Sequence, residues 1–117
     1  MDPINVKFYD RLSVDDTRIM FVVIAAKFNG KWVYAKHRER TTWEIPGGRR
    51  ETGESVDFAA RRELEEETGA LEYSMQPVCA YSVTGRTRVN EDGIESFGMQ
   101  YYAKISRLGQ PIARSSG

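Results

Sequence analysis

The chain is poor in the residues that staple folds or bind soft metals. It has a single cysteine, Cys79, and a single histidine, His37, among 117 residues. One cysteine excludes an internal disulfide framework, and the two residues together exclude a Cys/His zinc centre, so any metal has to be held by oxygen ligands. Net charge is also missing. Lys+Arg and Asp+Glu number 17 each, a formal charge of +0, which excludes a nucleic-acid binder working through bulk positive charge. The longest apolar run, residues 19–26, is far short of the roughly 20 residues that a membrane-spanning helix needs. The opening Met-Asp-Pro-Ile-Asn-Val has neither the basic nor the apolar stretch of a signal peptide. These absences lead us to expect one soluble, cytoplasmic domain over residues 1–117, with no nucleic-acid and no membrane partner.

What is present is a globular composition, 40% hydrophobic and 11% aromatic, sufficient for one core. Residues 19–28 are apolar and β-branched, Asn29-Gly30 follows, and residues 31–36 resume an extended pattern. Asn-Gly between two such runs predicts a hairpin with a type I′ turn. A short apolar segment, 43–45, stops at Pro46-Gly47-Gly48, where regular pairing should end. Residues 55–68 read as the one strong helix, with Ser55 as N-cap, Asp57 in the first turn and Gly69 just beyond the end. Strands are expected at 78–83 and 97–105, with a weaker one at 6–9. The fold class expected is α/β (α+β), a mixed sheet with one good helix.

That helix has an unusual face. At 100° per residue, Val56, Ala59, Ala60 and Leu64 form an apolar stripe, and Glu63, Glu66 and Glu67 continue it. Acids at this spacing bring their carboxylates together, repel one another and oppose the helix dipole. A hard divalent cation removes both penalties and commonly binds substrate phosphates as well. Taken alone, the glutamates are equally well read as a solvated face tempered by Arg61 and Arg62.

The flanking residues decide between these readings. The segment Gly48-Arg-Arg-Glu-Thr-Gly-Glu54-Ser-Val-Asp-Phe-Ala-Ala-Arg-Arg62-Glu63-Leu64-Glu-Glu66-Glu67-Thr-Gly69 resembles the Nudix box, Gly-x5-Glu-x7-Arg-Glu-U-x-Glu-Glu-x-Gly-U, where U is bulky and aliphatic. Seven such fixed Gly, Glu and Arg positions would align by chance on the order of 10⁻⁵ times in a chain of this composition. The last U is Ala70, with Leu71 just after it. The lead-in Trp43-Glu-Ile-Pro-Gly-Gly48 is similar to the strand and turn before the box in that family.

The resemblance implies a Nudix-type α/β/α sandwich and hydrolysis of a nucleoside diphosphate linked to a further group, by water attack at phosphorus with Mg²⁺ or Mn²⁺. The favoured substrate is a nucleoside triphosphate, oxidised or not, cleaved to monophosphate and pyrophosphate; the alternative is a Nudix-fold nucleotide-binding module with little hydrolysis. It further implies that Glu63, Glu66 and Glu67 bind metal together with the Gly47 carbonyl, and that Glu54 pairs with Arg62. These four acids and Arg62 are the catalytic set. Gly47, Gly48, His37, Arg40 and Arg49 are the substrate-binding candidates. Many members use another acid after the box, and here Glu91, Asp92 and Glu95 are the only acids beyond Glu72. Trp43 and Cys79 are expected in the core. So are Tyr81, Phe97, Tyr101 and Tyr102, with base stacking by one of these four aromatics as the alternative. Residues 106–117 show no helical period and no acid, so the family's closing strand and second helix are expected to be lacking. An open apolar sheet face, a homodimer covering it, and weak activity are the expected consequences.

Overall fold

The computed structural model describes residues 4–36, 43–85 and 92–110. Strand β1 (Asn5–Tyr9) leads through a short 3-10 turn (Asp16–Arg18) into β2 (Ile19–Phe28) and β3 (Lys31–Val33). The small strands β4 (Ala35–Lys36), β5 (Trp43–Glu44) and β6 (Gly47–Arg49) follow, then helix α1 (Val56–Thr68), and finally the long strands β7 (Ala70–Thr84) and β8 (Ser96–Leu108). The main sheet runs β1-β7-β8-β2-β3, and β6 also pairs with β2. Only β2 and β8 are parallel, so the sheet is mixed as expected.

The hairpin turn forms where the sequence places it. Asn29 and Gly30 take φ of 52° and 77°, and Phe28 faces Lys31 across the two-residue loop. The strand after the turn is shorter than residues 31–36. It breaks at Tyr34, and β4 leaves the sheet to pair with β5 in a separate ribbon. Strand β7 begins at Ala70, not at residue 78. Residues 72–77 alternate exposed polar and half-buried positions, the pattern of a strand with one wet face. Pro77 hid it, because proline is tolerated in a sheet only at edges and irregularities; the register indeed shifts between Pro77 and Cys79.

Helix α1 matches the expected span. Ser55 Oγ accepts the Phe58 N–H at 3.1 Å, and Gly69 closes the other end at φ 78° in the left-handed region. Val56, Ala59, Ala60 and Leu64 are buried against the sheet. They meet Val22, Ile24, Met99, Tyr101 and Ala103 in one core cluster. A second tie holds the helix start: the Tyr101 hydroxyl donates to the Asp57 carboxylate. Burial first, and that bond second, raise the Tyr101 phenol well above its ordinary range.

Two irregularities decide which residues face α1. A register shift between Ile19 and Phe21 lets odd Ile19 and even Val22, Ile24 and Ala26 all be buried. Phe97 and Tyr101 are in the core, as expected. Tyr81 and Tyr102 alternate with buried neighbours, are only half buried, and point to the opposite face. Trp43 is 66% exposed, so it is not core, because the β4–β5 ribbon stands outside the main sheet. Cys79 is half buried, its thiol on the Gln100 side-chain oxygen at 3.5 Å. Among the described residues α1 is the sole α-helix, and it covers one face. On the other, Phe8 and Trp32 are 68% and 50% exposed. No described helix is long and apolar enough to cross a membrane.

Candidate active site

The site is built where β6 meets the second half of α1. Backbone bonds Arg50 N–H to Met20 carbonyl and Ile24 N–H to Pro46 carbonyl, both 2.8 Å, set the phase of the β2–β6 ladder. By the alternation of an antiparallel pair, Gly47 and Arg49 then turn their own peptide groups away from β2, toward the helix. The Gly47 N–H donates to Glu67 Oε1 at 2.8 Å. The Arg49 carbonyl accepts from Arg62 Nη2 at 3.2 Å. Between them, Gly48 is pressed against Glu63: a Cβ at Gly48 would lie 2.6 Å from Glu63 Oε2 and 2.7 Å from its Cδ.

Arg62 is the hub. It grips Glu54 with both faces of its fork, Nε to Oε2 at 2.5 Å and Nη2 to Oε1 at 2.9 Å. Its Nη1 donates to Glu63 at 2.6 Å and lies 3.5 Å from Glu66 and from Glu51. The bond to Glu54, ahead of the contacts with Glu63, pushes the guanidinium further above its already high value, so it is a permanent cation. The loop is closed onto this hub as well, since Glu54 Oε1 accepts the Glu51 N–H at 2.8 Å. Glu51 is the participant that the motif did not single out; its place in the turn preceding Glu54, with Gly53 at φ 87°, is what brings it there.

The acids therefore share one face, as the helical spacing requires, but partners draw them apart. Glu63 and Glu66 lean on Arg62, and Glu67 on the Gly47 N–H. Among the described residues no three Asp, Glu, His or Cys side chains gather as a ready-made metal cage. The donor set nonetheless fits a hard cation. It consists of carboxylate oxygens plus a backbone carbonyl at Gly47 turned to the same side, and Mg²⁺ is ordinarily bound by one or two carboxylates together with substrate phosphates and water.

The other candidates divide. Arg49 places its guanidinium 5.1 Å over the Phe21 ring. His37, Arg40 and Glu91 lie outside the described residues. Asp92 accepts the Ile94 N–H in its own turn at 3.1 Å, and Glu95 accepts from Ser82 Oγ at 2.8 Å and the Tyr9 hydroxyl at 3.3 Å. Among the described residues neither acid bonds to the box.

Known proteins resemble this chain in sequence and in fold. The family model described as NUDIX domain matches residues 16–111. The chain is 33% identical over 105 residues to the putative 8-oxo-dGTP diphosphatase YtkD of Bacillus subtilis (strain 168), covering 90% of this chain and 61% of that protein. It is 40% identical over 63 residues to the ADP-ribose pyrophosphatase of the same organism, covering 50% and 34%. The chain thus spans less than two thirds of the length of either relative. Among solved structures, a mutant of the Bacillus subtilis pyrophosphohydrolase BsRppH superposes with a TM-score of 0.72 at 30% identity, over 92% of this chain and 62% of that one. The Ap4A hydrolase of C. elegans shares the fold at 20% identity, with a TM-score of 0.52 over 78% and 75%.

Proposed function

The chain belongs to the NUDIX domain family, and on that premise we propose that it is a divalent-metal-dependent pyrophosphohydrolase of nucleotides. The observation that carries this reading is the Arg62 hub, which fixes Glu54 and Glu63 while Glu67 is fixed on the Gly47 turn. Glu63, Glu67 and the Gly47 carbonyl are the groups to hold Mg²⁺ or Mn²⁺, with Glu66 beside them. When bound, the ion supplies charge neutralisation on the phosphate oxygens and acidifies water. Glu66, with Arg62 Nη1 at 3.5 Å, is the acid we assign to take a proton from the attacking water. Arg49, next to Gly48 on β6, is our candidate cation for a substrate phosphate. The reaction is cleavage of a nucleoside triphosphate to monophosphate and pyrophosphate, for which the cytoplasm supplies both nucleotide and Mg²⁺. The exposed apolar side chains of edge strand β1, Val6 and Phe8, are the surface for a homodimer. A binding-only module would not need the full set of box acids.

The test is a screen of dGTP, 8-oxo-dGTP and ADP-ribose with Mg²⁺ and with Mn²⁺, following release of the nucleoside monophosphate by chromatography. Turnover of at least one at a rate dependent on metal is expected, and no metal-dependent release from any would refute the hydrolase reading. Gly48→Ala sharpens it. Its Cβ would displace the Glu63 carboxylate while leaving the core untouched. Turnover is therefore expected to fall by about 10²-fold with an unchanged circular dichroism spectrum.

A further inference from the structure

We propose that Arg50 is a positioning residue for the hydrolysis, a second anchor that holds β6 and the start of the box loop in place. This rests on the nucleotide-hydrolase reading of the site. Strand β6 is three residues long and pairs with β2 outside the main order of the sheet. So short a strand opens readily by itself. Two of its three residues, Gly47 and Gly48, have no side chain with which to grip a neighbour. Yet the site depends on where β6 stands. The Gly47 N–H meets Glu67, Gly48 lies against Glu63, and the Arg49 carbonyl receives Arg62. Residues 50–54 then carry Glu51 and Glu54 from β6 to the helix. Arg62 ties down the far end of that loop through Glu54, which leaves the near end to be held.

Arg50 holds it twice. Its N–H donates to the Met20 carbonyl at 2.8 Å. That bond carries the β2–β6 ladder one step beyond its last paired residues, Phe21 and Arg49, into the irregularity of β2 between Ile19 and Phe21. Its Nη1 donates to the main-chain carbonyl of Asp16 at 3.1 Å. The same carbonyl accepts the Ile19 N–H that closes the 3-10 turn, so one oxygen joins the turn, the start of β2 and the box loop. A charged N–H on a carbonyl is stronger than an ordinary peptide bond pair. The Asp16 carboxylate is 3.7 Å from the same nitrogen and 73% exposed, and a solvated pair of that length adds little. The Arg50 side chain itself is only 19% exposed. An arginine that serves a substrate phosphate keeps its fork open to the substrate. This one is withdrawn from water and committed to a carbonyl of its own chain. A loop clamped at both ends keeps the acids in one arrangement, and such preorganisation acts on the chemical step more than on substrate affinity.

The experiment compares wild type, Arg50→Met, Arg50→Lys and Asp16→Asn. Methionine keeps an apolar stem to pack and removes only the donor, so the fold is preserved. Two readouts are taken: kcat and KM for whichever of dGTP, 8-oxo-dGTP and ADP-ribose the wild type cleaves, and amide hydrogen exchange by NMR at Gly47 and at Ala103, which is buried in β8. Arg50→Met is expected to lower kcat about tenfold with KM within about twofold, and to speed exchange at Gly47 about tenfold with Ala103 unchanged. Arg50→Lys can still give one N–H to the Asp16 carbonyl and should recover most of both losses. Asp16→Asn leaves that carbonyl in place and should behave as wild type. A raised KM at unchanged kcat in Arg50→Met would make Arg50 a substrate contact and overturn the proposal. So would an unchanged kcat, a lysine variant no better than methionine, or an Asp16→Asn as damaged as Arg50→Met. If the wild type cleaves none of the three compounds, the hydrolase reading falls and exchange decides the anchor separately. Faster exchange confined to Gly47 and reversed by lysine sustains it, and equal rates, or both amides accelerating together, remove it.

Discussion

Glu67→Gln is expected to lower turnover by about 10²–10³-fold, the effect of removing one fixed charge from a site built on charge neutralisation, while leaving the fold intact. The substitution isolates charge from structure. Glutamine keeps the oxygen that accepts the Gly47 N–H, so the turn retains its anchor. The accompanying measurement is a melting curve with and without metal. In wild type, Mg²⁺ or Mn²⁺ at about 100 times its Kd should stabilise the protein by roughly 2.7 kcal/mol through mass action, and in Glu67→Gln the shift should shrink at the same concentration. A melting temperature indifferent to metal in a folded wild-type protein would remove Glu63 and Glu67 as its ligands, whatever the activity.

For Arg62→Ala the loss is structural. The side chains of Arg62, Glu54 and Glu63 are only 13%, 9% and 10% exposed, so deleting the cation strands two carboxylates away from water. Removing one member of such a buried pair costs about 3–5 kcal/mol, or roughly 10 °C or more in Tm for a domain of this size. Turnover should fall with it, because the loop carrying Glu51 and Glu54 and the carbonyl of Arg49 all lose their tether. Glu54→Gln in the Arg62→Ala background should restore part of the stability, since an uncharged amide is cheaper to leave unpaired. If Arg62→Ala melts with wild type, or if Glu54→Gln adds a full second penalty, the hub does not hold loop to helix. Arg62→Lys keeps the charge but not the fork, and should fall between the two.

The sequence by itself determined the helix, its two caps, the Asn29-Gly30 turn and the set of residues that share the acidic face. All of these are local: caps and turns are settled within four residues, and the spacing on one helix dictates which side chains are neighbours. It also carried the family, because the box is a run of local spacings. The strands obeyed no such local rule. Period-two alternation says which residues lie together and not which side is covered, and one inserted residue exchanges the sides. The irregularities beside Met20 and Val78 depend on the partner strand, which is distant in sequence. Only the assembled sheet therefore decided that Phe97 and Tyr101 enter the core while Tyr81 and Tyr102 leave it, and that Trp43 stands outside. The same holds at the site. The box implied Glu54 with Arg62, but the phase of the β2–β6 ladder turned Gly47 toward Glu67 and the Arg49 carbonyl toward Arg62. That phase is set by which peptide groups β2 takes for its own hydrogen bonds, a choice made across the sheet and not along the chain.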